Sequence, residues 1–378
     1  MIPQAHREPW QDPQAKPYIQ LDQISKNFHG YQVIQNVSLS IYKGEFFSLL
    51  GESGCGKTTL LRLIGGFEKP SAGRIYLDGQ DITDIPPYQR PVNMMFQSYA
   101  LFPHLTVFEN VAFGLRQERL QSPYIQRRVE EILRLVHLEH CGYRKPHQLS
   151  GGQRQRVALA RCLIKQPKVL LLDEPLAALD QRLREKTQIE LVNIQEEVGV
   201  TFIMVTHDQE EAMTMSTRMG IMHQGSPVQV GTPGEIYEYP NSTWVAKFIG
   251  SMNIVEGVLT DIQTRYMTIE CPDLEIPLRL AHTAGLAPEG AHVSVVIRPE
   301  KVRISKKAPR KGSINVLKGV VSEIMYLGDV SIYHVTLPSG KTILATVPNL
   351  VRLAERPITW DDTVYVLWDQ ASSTILTS

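Results

Sequence analysis

Gly51-Glu52-Ser53-Gly54-Cys55-Gly56-Lys57-Thr58 follows directly on the apolar run Phe46-Phe47-Ser48-Leu49-Leu50. Residues of these types at this spacing bind phosphate when they sit where a strand passes into a helix. The glycines let the backbone turn its N–H groups inward as an anion nest, and a helix opening near Lys57 aims its positive end at the same point. Lys57 can reach terminal phosphates, and the Thr58 hydroxyl can ligate a Mg²⁺. A glycine-rich turn with an ordinary surface lysine would match the same pattern, so the rest of the chain has to decide.

Leu149-Ser150-Gly151-Gly152-Gln153 suggests a second anion site. Ser150 is an N-cap residue, and the two glycines leave the following N–H groups uncovered. Val157, Ala160, Leu163 and Ile164 then fall at helical spacing. Alone, this is also a plain helix cap. Next comes Lys168-Val169-Leu170-Leu171-Leu172-Asp173-Glu174, an apolar strand ending in two carboxylates. In a nucleotide hydrolase Asp173 would hold Mg²⁺ through water and Glu174 would polarise the attacking water. An isolated Asp-Glu pair reads equally well as a solvated cap for the following helix. The strand Phe202–Val205 runs into Thr206-His207-Asp208. His207 could contact a γ-phosphate and steady Glu174, or be a satisfied structural histidine. Gln97, after Met94-Met95-Phe96, could sense Mg²⁺ and the water, although by itself it carries no signal.

Rigid elements must hold these side chains. From about Tyr18 to Gly250, short apolar runs alternate with helical stretches, which predicts an α/β domain with a largely parallel sheet. Phe46–Leu50, Val169–Leu172 and Phe202–Val205 are the clearest strands, and the last two are continuous enough to be covered on both faces. Residues 98–150 read as a helical insertion with bends at Pro103, Pro123 and Pro146. Past Ser251 the pattern changes to strands at Val293–Ile297, Val316–Met325, Val330–Leu337, Lys341–Val347 and Val364–Trp368, with a hairpin turn at Pro338-Ser339-Gly340. Tyr333, Val335 and Leu337 would share one face, extended by Ser331. The expected division is a flexible segment 1–17, an α/β domain 18–250 and a small β-barrel domain 251–378.

The bulk numbers are those of an ordinary soluble globular protein and do not suggest a nucleic-acid binder. Lys+Arg and Asp+Glu both total 39, so no broad field draws polyanions. Cys55, Cys141, Cys162 and Cys271 are too scattered for a zinc site or disulfide framework. We expect no signal peptide and no membrane-spanning run, so work at a membrane would be as a docked partner.

The motifs, in this order, resemble those of the ATP-binding-cassette ATPases over residues 18 to 250. The resemblance implies a P-loop NTPase fold and makes Gly51–Thr59 the phosphate loop, including Thr59. It makes Gln97 the glutamine loop and a Mg²⁺ contact, Ser150–Gln153 the signature, and Asp173 the aspartate of the metal site. Glu174 becomes the catalytic base, Leu179-Asp180 the end of the D-loop and His207 the switch. Phe28 resembles the aromatic residue that stacks on adenine, with Tyr31 a nearby competitor. Two features depart from the pattern. The D-loop reads Ala177-Ala178-Leu179-Asp180, without the usual serine, and Glu52 places a carboxylate in the phosphate loop that must point away from the anion.

The family resemblance further implies a homodimer in which the signature of one copy closes over the Mg²⁺-ATP of the other. It implies two transmembrane permease subunits gripped through the insertion, with Tyr99–His104 either forming that groove or packing the insertion's own core. A periplasmic solute-binding protein would act indirectly. The C-terminal part resembles the OB-like TOBE domain of importer ATPases, through Ile297-Arg298-Pro299-Glu300 and Tyr326-Leu327-Gly328-Asp329. Residues 86–99 and 205–215 resemble ATPases of bacterial putrescine/spermidine importers, which implies a peripheral location on the cytoplasmic face of the inner membrane. Iron, sulfate or sugar import, a non-transport cassette ATPase and a non-hydrolysing ATP-binding module are the other readings.

Overall fold

The computed structural model describes residues 8–12, 14–281, 287–309, 314–350 and 358–377, so residues 1–7 and 13 of the expected N-terminal segment lie outside the described residues. The chain divides into two units between Glu235 and Ile236.

The first unit begins with a hairpin, β1 (Ile19–Phe28) and β2 (Tyr31–Ile41), followed by β3 (Phe46–Gly51) and α1 (Lys57–Gly65). β4 (Ala72–Leu77) and β5 (Gln80–Asp81) join the hairpin in an antiparallel sheet of order β2-β1-β4-β5. β6 (Val92–Met95) leads to three helices, α2 (Val107–Gln117), α3 (Ser122–Leu135) and α4 (Gly151–Leu163). The chain returns through β7 (Val169–Asp173), α5 (Gln181–Val198), β8 (Thr201–Thr206), α6 (Gln209–Met215), β9 (Arg218–His223) and β10 (Ser226–Gly231). The second sheet has the order β10-β9-β3-β8-β7-β6. It is parallel except for β10, which returns antiparallel to β9.

Every residue of β3, β7 and β8 is buried, because each face of this sheet meets its own core. Phe47, Leu49, Leu171, Ile203 and Val205 face the residues of α1 and of the antiparallel sheet. Their alternates Phe46, Leu170, Leu172, Phe202 and Met204 face the helices α2 to α5. Strands so covered need no polar face, which is why they read as unbroken apolar runs. Their C-terminal ends then open on one edge, where Gly51, Asp173 and Thr206 stand in neighbouring positions.

α7 (Pro233–Glu238) crosses the division, and α8 (Thr243–Phe248) lies in the second unit, where Ala246 packs with Val296 and Leu376. The two helices lie N-terminal to the expected boundary at 250/251. Beyond them come β11 (Asn253–Ile262), β12 (Tyr266–Glu270), β13 (Leu278–Ala281), β14 (His292–Ile297) and β15 (Arg303–Ser305). β16 (Ile314–Tyr326), β17 (Val330–Thr336), β18 (Thr342–Pro348), β19 (Thr363–Asp369) and β20 (Ser373–Leu376) follow. They form two five-stranded sheets, β13-β12-β11-β14-β20 and β15-β19-β16-β17-β18, around one apolar core. Ser331, Tyr333, Val335 and Leu337 share the buried face, and Gly340 at φ 87° closes the hairpin as expected. Among the described residues no helix is long and apolar enough to cross a membrane.

Candidate active site

The phosphate-binding loop is built where β3 gives way to α1. Gly51 has no room for a side chain, since a Cβ there would lie 2.4 Å from the Met222 carbonyl oxygen. Gly56 caps α1 at φ 101°, a left-handed backbone that glycine adopts without strain. Lys57 is only 6% exposed, and its ammonium donates to the carbonyls of Gly51 and Glu52, both at 2.8 Å. The Cys55 sulfur lies 3.7 Å from the same nitrogen. Glu52 itself is exposed. The loop is tied to β2 through Gly225, which accepts from the Gln35 N–H at 2.9 Å and donates to the Cys55 carbonyl at 3.2 Å. A single cavity is lined by Val33, Ser53, Gly54, Gly56, Lys57, Thr58, Thr59 and Glu174.

Thr58 donates from its hydroxyl to Asp173 Oδ1 at 3.0 Å. Asp173 is buried at the end of β7, and burial pushes its carboxyl above the ordinary range, outweighing the Thr58 hydrogen bond. A desolvated carboxylate beside a hydroxyl is a hard-oxygen pair short of positive charge. Among the described residues no cluster of three or more His, Cys, Asp or Glu could cage a metal. A cation that binds through few protein oxygens and keeps water and phosphate ligands suits this donor set, and Mg²⁺ is such a cation.

Glu174 follows at once in a left-handed conformation, φ 46°, unusual for a non-glycine residue. Its backbone N–H donates to the Val205 carbonyl at 3.0 Å, anchoring the turn to β8. One carboxylate oxygen accepts from the Gln97 amide at 2.9 Å, while the other lies 3.3 Å from His207 Nδ1. Glu174 is thus held from two sides at the mouth of the phosphate cavity, with its carboxylate available to a water.

Gln97 owes its place to the segment after it. Tyr99 and Ala100 adopt φ 61° and 46°, and the Tyr99 hydroxyl donates to the Pro175 carbonyl at 3.2 Å. Arg161 on α4 holds both carbonyls, that of Ala100 at 2.7 Å and that of Tyr99 at 3.0 Å. Tyr99 is buried in the helical core and Leu101 packs against it. Phe102 is half-buried, with its ring 4.6 Å from that of Phe113. Within Tyr99–His104, Tyr99 and Leu101 thus pack inward, Phe102 is half-buried, and Ala100, Pro103 and His104 are exposed.

Ser150 caps α4 in a reciprocal pair: its hydroxyl accepts from the Gln153 N–H at 3.3 Å and its own N–H donates to Gln153 Oε1 at 3.0 Å. Gly151 and Gly152 lie against Leu179 and Leu183, so the signature turn packs on its own chain's D-loop. Asp180 caps α5 by accepting from the Leu183 N–H at 3.0 Å. Ser150–Gln153, Asp180, Phe28 and Tyr31 are not among the residues lining the phosphate cavity. Phe28 and Tyr31 face each other across the β1–β2 turn. One face of the Phe28 ring is taken by the Lys26 ammonium at 4.6 Å, and Tyr31 is 73% exposed. Arg161, which holds the Tyr99–Ala100 segment from α4, escaped the sequence reading because it belongs to no short motif.

A buried loop lysine, a hydroxyl–carboxylate pair and a carboxylate steadied by glutamine and histidine, all at the edge of a parallel sheet, define a P-loop nucleotide hydrolase. The model of the ABC transporter family matches residues 34–177, and that of the TOBE domain matches residues 295–376. The chain is 52% identical over 371 residues to the putrescine transport ATP-binding protein PotG of Escherichia coli (strain K12), covering 97% of this chain and 98% of that protein. It is 46% identical over 360 residues to the spermidine/putrescine import ATP-binding protein PotA of Thermotoga maritima, covering 95% and 97%. A solved dimeric ATP-binding cassette in a post-hydrolysis state, bound to ADP and Pi, matches at a TM-score of 0.51 and 33% identity, over 57% of this chain and 98% of that one. The chain belongs to the ABC transporter family, as an ATP-binding subunit with a C-terminal TOBE domain.

Proposed function

We propose that this chain hydrolyses Mg²⁺-ATP to drive import of a polyamine such as putrescine through an ABC transporter of the inner membrane. The observation that carries the reading is Glu174, braced by Gln97 and His207 at the mouth of the cavity that Lys57 and Thr58 line. Gly51–Thr59 would cradle the phosphates, with Lys57 on the terminal groups, and Thr58 and Asp173 would hold Mg²⁺ with Gln97 nearby. When bound there, Mg²⁺ supplies charge neutralisation on the phosphate oxygens. Glu174 accepts the proton of the attacking water, and His207 keeps its carboxylate aimed. Phe28 stacks on adenine with the ring face that Lys26 leaves open.

Ser150, exposed at the start of α4, closes with Gly151–Gln153 over ATP held by a second copy. The working unit is then a homodimer on the cytoplasmic face. It docks two permease subunits on the Phe102–Phe113 surface and acts on a periplasmic solute-binding protein indirectly. The choice of a polyamine is supported by the names of the relatives at 52% and 46% identity. Purified protein should hydrolyse ATP only with Mg²⁺, and Lys57→Ala should abolish turnover. Cells carrying the chain with its neighbouring permeases should take up labelled putrescine. Unchanged ATPase activity in Lys57→Ala contradicts the site, and uptake of sulfate or sugar instead contradicts the solute.

A further inference from the structure

Arg184 stands in the first turn of α5, directly after the D-loop, and reaches in three directions. Its Nη2 donates to the Leu179 carbonyl at 3.2 Å, its Nη1 donates to Asp208 Oδ2 at 3.0 Å, and its Nε faces Glu211 Oε1 at 3.7 Å. Asp208 caps α6 by accepting from the Glu210 and Glu211 N–H groups, and its own N–H donates to Thr206 Oγ1 at 3.0 Å. The Thr206 hydroxyl donates to Glu211 Oε2 at 2.6 Å, and Glu211 is only 3% exposed. Of the two chain neighbours of His207, Thr206 is therefore bonded to the Glu211 carboxylate and Asp208 carries a carboxylate of its own, and both carboxylates face one guanidinium. The same guanidinium grips a D-loop carbonyl. With alanine at 177 and 178 no D-loop hydroxyl is present, so a contact made there falls to Asp180 or to backbone, and Leu179 offers the backbone group that Arg184 holds.

We propose that Arg184 is a positioning residue that links the D-loop to the His207 turn, so that contact made at Ala177–Asp180 sets how His207 meets Glu174. The proposal rests on the ATPase reading above and adds a route by which closure of two copies reaches the catalytic carboxylate. A guanidinium suits the task because its planar fork holds several oxygens in fixed directions, which an ammonium cannot do.

The test is a double-mutant cycle on the full-length chain, with kcat and KM for Mg²⁺-ATP measured in wild type, Arg184→Met, His207→Ala and the double variant. Arg184→Met should lower kcat about 10- to 100-fold with KM within about twofold of wild type. If Arg184 acts through His207, adding Arg184→Met to His207→Ala should cost nothing further. A kcat near wild type in Arg184→Met, or a double variant that loses the product of the two single losses, overturns the proposal. Should Arg184→Met strand Glu211 as a lone buried carboxylate and fail to fold, Arg184→Met/Glu211→Gln removes that charge and should show the same low kcat. Wild-type turnover in this folded pair also overturns it. Absence of Mg²⁺-ATPase activity in wild type would overturn the underlying reading instead, and so is told apart from a silent Arg184.

Discussion

Replacing Ser150 by alanine separates a stabilising role from a chemical one. The substitution deletes the hydroxyl that accepts from the Gln153 N–H at 3.3 Å but leaves the reciprocal bond from the Ser150 N–H to Gln153 Oε1. Half of a capping box, with one long bond, is worth about 1 kcal/mol. For a unit of this size that lowers the melting temperature by about 2–4 °C. A domain stable by about 5–15 kcal/mol stays folded after such a loss, so any fall in turnover at room temperature reports on the site. If the α4 start closes over the ATP of a second copy, Ser150 contributes a donor to developing negative charge. Removing one such donor costs about 2.7–4 kcal/mol, a drop of about 10²–10³ in kcat. Thermal unfolding and steady-state Mg²⁺-ATPase kinetics on the same preparation give both numbers. A kcat within about threefold of wild type, beside the small stability loss, would show that Ser150 only caps its helix and would refute the shared-site reasoning.

Other consequences follow from buried charges. Arg90 donates to the carbonyls of Leu63, Ile64, Thr83 and Ile85, clamping the far end of the phosphate-loop helix. Arg90→Met should therefore cost roughly 3–5 kcal/mol in urea unfolding, since it strands buried acceptors of a charged donor. Arg90→Lys should recover little, because an ammonium cannot span that set. Burial pushes Glu45 from 4.5 up to about 7, against the Tyr42 N–H and Arg218. Between those values the native state holds a proton that the unfolded chain has released, so this group's contribution to stability falls as pH rises through that window. Thermal melts from about pH 5 to about pH 8 should show that slope in wild type and lose it in Glu45→Gln.

Much of the catalytic edge is legible in the sequence because local chemistry dictates it. β3, β7 and β8 read as apolar runs, and the residues at the end of each one are those to which phosphate, metal and proton roles are proposed. The row Ser331, Tyr333, Val335 and Leu337 is likewise readable, since strand period alone assigns its face. The antiparallel sheet of the first unit escaped notice. Register shifts between Leu21 and Ile24, and again near Lys26, break the alternation that would mark β1. β11 to β13 were missed for a different reason: Gly257 sits in β11 where a Cβ would strike the Glu270 carbonyl, and Pro272 and Pro277 interrupt the run between β12 and β13. Arg161 and Arg184 could not be read at all. Arg161 acts on carbonyls 61 and 62 residues away, and Arg184 on a carboxylate 24 residues away. Nothing in their local sequence announces such partners.

In the proposed mechanism Glu174 is the group that takes the proton from water. Glu174→Gln keeps the shape of the side chain but not its basicity, so ATP binding should stay within a few-fold of wild type while Mg²⁺-dependent turnover falls about 10²–10⁴-fold. A closed dimer should then accumulate with unhydrolysed ATP, seen by size-exclusion chromatography. Hydrolysis at the wild-type rate by this variant would contradict the assignment and, with it, the mechanism built on the Gln97–Glu174–His207 arrangement.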